Sequence, residues 1–327
     1  MTANELSTLA TGYWPAATLI AAVELNVFDT LADGATSVDG VAATLGLPGD
    51  RLAMLLDGLV SIGLLVKSPA GYAIADAVWP LLARSSPTCM LDALRYNADL
   101  YRHWSNLAAV VRGDGPPAGQ MQLGADPAMT RRFVLGMEAK GRAFAPAVAA
   151  AIDLGDAQTL LDIGSGPGTI TRHLLRDRPT LRATLLDLPP VLSVAQELWQ
   201  GDPCLGRATF HPADYRQAPL PGGFDRVVYA GALHQESRAS AVSLFERLRL
   251  SLLPGGKLFV IDLMLGQERT SPRFSALFQL NMLLLRPGAR VFEQSFLMTL
   301  LVGAGYQRVH AAAIADTPYT CVAAEVD

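Results

Sequence analysis

Cysteine is scarce: Cys89, Cys204 and Cys321 are the only three in 327 residues, odd in number and without ligand spacing. They exclude a disulfide framework and a metal cluster, and read as small core residues. Charge is sparse too, at 17% of residues with a net of -4, so the chain as a whole has no attraction for nucleic acid. Half the residues are hydrophobic, yet no apolar run reads as reaching the roughly 18 residues of a membrane span. The N-terminus lacks the basic-then-apolar pattern of a secretion signal. These absences predict a soluble, cytoplasmic chain with no membrane association, of about two domains with a substantial core.

Residues 8–32 read as an apolar helical segment whose Tyr13, Trp14, Leu19, Ile20, Val23 and Phe28 are too many for one small helix to hide, which predicts packing against a second subunit. Ser37 caps a short helix ending at Gly46, a second helix runs from about Asp50 to Ile62, and LLVKS with GYAIA forms a hairpin. Two helices and a hairpin make a winged helix, which raises the possibility of DNA binding. Residues 1–100 hold four Lys or Arg against ten Asp or Glu, a balance of -6 that phosphate binding does not tolerate. Cys89 to Gly113 reads as one long helix, GDGPPAGQMQLG as a loop, and about Pro127 to Ile152 as another helix carrying Phe133, Met137 and Phe144.

From residue 156 strands and helices alternate through LLDIG, TLLDL, ATFHPAD, FDRVVYAGAL and KLFVIDL, the pattern of a parallel sheet covered on both faces. Two final strands, about 306–312 and 319–325, predict an antiparallel edge hairpin. The densest signal is TLLDIGSGPG, where a strand enters a turn with Gly164, Gly166 and Gly168, ahead of a helix. Glycine lets the backbone turn sharply and lets a cofactor lie against its amides, although such turns also form for packing alone. Asp187 ends the next strand, 25 residues after Asp162. It either chelates two ribose hydroxyls or caps the helix ahead of Pro189 and Pro190. A dinucleotide fingerprint needs glycine at the sixth position of the turn, and Thr169 stands there. Gly164, Asp187, Asp214, His234 and Asp262 all fall at carboxyl ends of strands, where ligands of such sheets bind.

The G-x-G-x-G turn after Asp162 resembles the first motif of class I S-adenosylmethionine (SAM) methyltransferases. The whole chain resembles their dimeric small-molecule O-methyltransferases, of the plant caffeate and bacterial natural-product type, through LLDIGSGPG, LLDLPPVL, HPADY, GALH, SLLPGGKLFVID and FQLNMLLLRPG. The resemblance implies an α/β, Rossmann-like doubly wound SAM-binding domain at 156–327, bridging helices at 89–155 and a winged-helix dimerisation domain at 1–88. It implies a SAM shell of Asp162, Gly164, Ser165, Gly166, Gly168, Asp187, Leu188, Asp214, Tyr215 and Ala230. It also makes His234 the base that takes the acceptor's proton, with Asp262 orienting it. Trp104, Phe133, Met137, Phe278, Asn281 and Met282 are expected to line the acceptor pocket, their apolar members being explained equally by core packing.

Three positions depart from the family pattern. Gln235 and Glu236 follow the histidine where the family shows Asp-Trp, and Arg290 stands where a second family acid falls. An arginine cannot accept a proton; it holds a substrate carboxylate or faces solvent. The leading expectation is methylation of an aromatic or enolic hydroxyl on a small molecule, with a carbon nucleophile as a close variant. Non-methylating chemistry on the same fold, such as cyclisation or hydroxylation, and a SAM-responsive regulator are the alternatives.

Overall fold

Local capping signals and apolar periodicity build two units, Met1–Tyr101 and Arg102–Asp327. The computed structural model describes residues 1–115 and 123–327. In the first unit the apolar stretch at 8–32 becomes α1 (Ala3–Ala10), α2 (Tyr13–Glu24) and α3 (Val27–Thr30). α1 starts in a capping box in which Thr2 and Glu5 each satisfy the other's backbone N–H. Val23 and Phe28 are buried, while Leu6, Leu9, Tyr13 and Trp14 are exposed. One expectation is corrected here. Taken continuously, Ala3–Glu24 has a mean hydropathy of 1.2 over 18 residues, enough by length and composition to cross a membrane. Its alanines dilute the polar positions, so the stretch passes without any unbroken apolar run.

α4 (Val38–Leu45) lies between Ser37, whose hydroxyl accepts from the Gly40 N–H at 3.2 Å, and left-handed Gly46. α5 (Gly49–Ser61) buries Leu52, Leu56 and Leu59, one face at helical spacing. β1 (Leu65–Ser68) and β2 (Gly71–Ile74) pair antiparallel, Leu65 opposite Ile74, and α6 (Trp79–Leu82) follows. All pack with Val23, Phe28, Leu31 and Val41 in one core, each large side chain contributing about 1.5–3 kcal/mol.

The helix expected from Cys89 to Gly113 is shorter. α7 (Leu91–Trp104) stops where the Ser105 hydroxyl donates back to the Arg102 carbonyl at 3.1 Å, a local bond that competes with the helical ladder. α8 (Leu107–Ala109) and a π-turn at Val110–Asp114 complete it. Most of the Gly- and Pro-rich loop that follows, residues 116–122, lies outside the described residues. α9 (Pro127–Ala150) begins with Asp126 accepting from the Ala128 and Met129 N–H groups.

Beyond it the chain alternates: β3 (Thr159–Ile163), α10 (Thr169–Asp177), β4 (Arg182–Asp187), α11 (Pro189–Leu198), β5 (Ala208–Pro212), β6 (Phe224–Ala230), α12 (Arg238–Ser251), β7 (Leu252–Asp262), β8 (Met264–Leu265), α13 (Arg273–Leu285), β9 (Phe292–Glu293), α14 (Gln294–Gly303), β10 (Gln307–Ala313) and β11 (Thr320–Glu325). The main sheet has seven strands in the order β10-β11-β7-β6-β3-β4-β5, parallel except for the C-terminal hairpin. Leu161, Ile163, Val227 and Val260 face α12 and α14, whereas Leu160, Leu185, Val228 and Phe259 face the end of α9, α10 and α11. Burial on both faces is why these strands read as unbroken apolar runs. The chain steps outward from β3 to β5 and returns at β6, so the strand order reverses between β3 and β6. Ligands of such sheets bind at that reversal.

Candidate active site

Five strand ends line the rim at and beside the reversal. After β3, Gly164, Gly166 and Gly168 have φ of +64°, +54° and +75°, and the Gly164 N–H donates to the Leu186 carbonyl at 2.8 Å. A Cβ on Gly168 would meet Leu185 and, at 3.0 Å, the Trp199 ring. Trp199 is fully buried and donates its indole N–H to the Pro167 carbonyl at 2.9 Å, fastening the turn from behind. Asp162 is enclosed beneath the turn, where its Oδ2 accepts from the Thr171 hydroxyl of α10 at 2.5 Å. Burial pushes its carboxyl up to about 7, against the lowering effect of that hydrogen bond. Thr169 donates its hydroxyl to Glu138 of α9, which also accepts from Arg172 at 3.0 Å.

Asp187 does not cap α11, whose N-cap is Leu188 without a side-chain bond. Its Oδ2 crosses to the Gly166 N–H and its Oδ1 takes the Leu188 N–H, each at 2.7 Å. Burial first, opposed by those two bonds and by Arg216, holds this carboxyl up at about 6. Each oxygen keeps a second acceptor direction. At the end of β5, Asp214 accepts from the Arg216 N–H at 3.0 Å and the Gln217 amide at 2.8 Å. Tyr215 is buried, its hydroxyl donating to Glu236 at 2.9 Å beside Tyr229.

His234 sits on a 3-10 turn, Leu233–Gln235, just past Ala230 at the end of β6. Asp262 ends β7 alongside. Its Oδ1 lies 2.8 Å from His234 Nδ1, and its Oδ2 accepts from the His234 backbone N–H at 3.1 Å. The Asp262 side chain is 1% exposed and that of His234 15%. A carboxylate on Nδ1 selects the tautomer with its proton there, which leaves Nε2 as an acceptor. Phe278 of α13 stands edge-on to the imidazole at 5.0 Å between ring centres.

Of the other expected pocket residues, Trp104 donates its indole N–H to Asn281 Oδ1 at 3.3 Å, and Phe133 packs with Leu188 around Val134 and Val191. Met282 is 5% and Asn281 8% exposed, so both present little surface. Met137 is half-buried on α9. Glu138 went unnoticed in the sequence, and Glu236 was noted there only as a departure from the family pattern. Glu138 holds Thr169 and Arg172, and Glu236 joins Tyr215 to Arg216, whose Nε donates to it at 2.7 Å. Their partners lie 20 to 34 residues away, beyond any local pattern.

The domain family described as the O-methyltransferase domain matches residues 104–307, and the O-methyltransferase dimerisation domain matches residues 7–84. The chain belongs to the O-methyltransferase family. This O-methyltransferase is 28% identical over 286 residues to 3-hydroxy-5-methyl-1-naphthoate 3-O-methyltransferase of Streptomyces sahachiroi, covering 85% of this chain and 82% of that one. It is 28% identical to the tetracenomycin polyketide synthesis 8-O-methyltransferase of Streptomyces glaucescens, over 95% and 93% of the two chains. The crystal structure of human N-acetylserotonin methyltransferase in complex with SAM superposes with a TM-score of 0.89 at 26% identity, over 99% of this chain and 97% of that one. The protein is a SAM-dependent O-methyltransferase.

The residues present fit that cofactor. Ser165 Oγ in the glycine turn is buried without a hydrogen-bond partner, and the space a Cβ would occupy over Gly166 is open. Asp187, with no ion-pair partner of its own among the described residues, offers two oxygens to a vicinal diol. Asp187→Ala is therefore expected to weaken S-adenosylhomocysteine binding by about 1.5–3 kcal/mol, the range for a hydrogen bond to a charged group. A carboxyl raised to about 6 gains its proton as pH falls through that value. Wild-type affinity is then flat above pH 7 and falls by up to about tenfold per unit below pH 6. Calorimetry across pH checks both, with Asp187→Asn expected to flatten the acid limb.

Proposed function

We propose that this enzyme methylates a hydroxyl of a small aromatic or enolic acceptor, with His234 as general base and Asp262 as the group that orients it. The observation that carries this reading is the 2.8 Å contact between His234 Nδ1 and Asp262 Oδ1 at the ends of adjacent strands. SAM, when bound, supplies a methyl group already activated by positive charge. The task left to the chain is to align the acceptor oxygen and receive its proton. Nε2 of His234 takes that proton, and the carboxylate of Asp262 stabilises the imidazolium. Gly164, Ser165, Gly166, Gly168, Asp187, Leu188, Asp214, Tyr215 and Ala230 shape the cofactor side, with Asp162 bracing the turn. Trp104, Phe133, Met137, Phe278, Asn281 and Met282 form the acceptor side, Phe278 adding an apolar aromatic wall beside the imidazole. The aromatic acceptor named for the Streptomyces sahachiroi relative is in keeping with such a wall.

The test is incubation with methyl-labelled SAM and host extract, followed by mass spectrometry of labelled products. Label on an aromatic or enolic oxygen is expected. Label on carbon would replace this reading by its C-methylating variant, and no transferred label would remove it.

We assign residues 1–88 to dimerisation, 89–155 to bridging helices and 156–327 to cofactor binding and catalysis. Tyr13 and Trp14 are 57% and 59% exposed, an apolar surface that a second copy covers. Light scattering at micromolar concentration is expected to give twice 34.7 kDa; a monomer would contradict the assignment. The three cysteines form no disulfide among the described residues, which suits a reducing cytoplasm.

A further inference from the structure

The segment before β9 carries a cation that no carboxylate among the described residues answers. Residues 286–290 lie against the turn that holds His234. The Arg290 N–H donates to the His234 carbonyl at 3.0 Å, Arg286 Nη1 reaches Gln235 Oε1 at 3.3 Å, and a Cβ on Gly288 would touch Ser237 at 3.6 Å. In the parallel pair that follows, Met264 faces Phe292 and Leu265 faces Glu293. Leu263, next to Asp262, and Val291, next to Arg290, share one apolar cluster.

The Arg290 side chain is half-buried and its Nε is enclosed without a hydrogen-bond partner. The carboxylates on and beside the His234 turn and on β9 are bonded to other groups. Asp262 is taken by His234 and by the Leu263 N–H, Glu236 by Arg216 and Tyr215, and Glu293 by Arg238 and Arg269. Among the described residues none pairs with Arg290. An enclosed guanidinium N–H without an acceptor is costly, and the planar fork of the group matches a carboxylate in two parallel hydrogen bonds.

We infer that Arg290 is a specificity-determining residue that binds a carboxylate on the acceptor, so that the enzyme selects aromatic or enolic hydroxy acids over neutral phenols. This rests on the reading of the acceptor as a small hydroxylated ring and narrows it. The carboxylate supplies the missing counter-charge beside the dyad, while the hydroxyl of the same molecule faces His234 Nε2.

The experiment compares 3-hydroxy-2-naphthoate with 2-naphthol in wild type, Arg290→Gln and Arg290→Lys, with thermal unfolding to verify that each variant is folded. Wild type is expected to favour the acid in kcat/KM. Arg290→Gln should lower the acid-to-naphthol ratio about 10- to 100-fold, the range for a hydrogen bond to a charged group, mainly through KM, and Arg290→Lys should restore part of it. A wild type that does not discriminate, or a ratio unmoved in Arg290→Gln, would overturn the inference and leave the reading of a hydroxyl acceptor standing. If wild type methylates neither probe, calorimetry in the presence of S-adenosylhomocysteine decides. Tighter binding of the acid that is lost in Arg290→Gln would uphold Arg290 while rejecting a simple ring hydroxyl as acceptor. Equal or absent binding of both probes would overturn it.

Discussion

His234→Ala is expected to lower kcat by about 10² to 10⁴, the usual loss when a general base is removed, while affinity for S-adenosylhomocysteine stays within about twofold of wild type. The two readouts separate because the proposed assignment gives the imidazole to the acceptor side and the glycine turn and Asp187 to the cofactor side. Asp262→Asn should cost less than His234→Ala. It keeps the shape but replaces a carboxylate by an amide, so the tautomer and orientation of the ring are less firmly set and the developing imidazolium loses its counter-charge. Single-turnover rates with a fixed acceptor, together with calorimetry of S-adenosylhomocysteine, check both variants. An equal loss of cofactor affinity in His234→Ala would indicate collapse of the turn instead of a missing base.

The second large effect is on the fold itself. Gly168→Ala is expected to destabilise the apo-enzyme by about 2–5 kcal/mol, from roughly 1–2 for a left-handed residue bearing a Cβ and about 1–3 for overpacking a filled core. The added methyl would press on Leu185 and Trp199, both buried. Gly166 has a similar φ of +54° but nothing within 4 Å of its missing Cβ. Gly166→Ala should therefore lose only the backbone part. Thermal unfolding of the two variants side by side reads the difference, and equal destabilisation would mean that packing behind the turn contributes nothing. Against a total stability of about 5–15 kcal/mol, the Gly168 change is a large fraction.

Elements with their own boundary signals were legible in the sequence. Ser37 and Gly46 mark α4 at both ends because a cap and a left-handed stop are local chemistry, and Pro127 marks the start of α9. The parallel sheet was legible because strands buried on both faces leave apolar runs of fixed length between helices. The break after Trp104 was not, since it depends on one hydroxyl of Ser105 turning back to the Arg102 carbonyl, which any mid-helix serine is able to do. In the site, the ends of β3, β4, β6 and β7 were readable as one rim once the alternation was seen, and the resemblance supplied roles for His234 and Asp262. The partners were not readable. Trp104 and Asn281 meet across 177 residues of sequence, Glu138 meets Thr169 across 31, and the bond from Gly166 to Asp187 shows only after the register of β3 against β4 is known. Such contacts are set by tertiary packing, which leaves no periodic trace.

The central claim is that His234 removes the acceptor's proton, and the pH dependence of kcat/KM tests it most directly when wild type and His234→Ala are measured on the same acceptor. With SAM saturating, so that the Asp187-dependent loss of cofactor affinity does not enter, a group that must be neutral to accept a proton gives wild type an acid limb, and that limb is lost in His234→Ala along with most of the rate. Superimposable profiles with rates within about threefold of each other, far below the range for loss of a general base, would contradict the account.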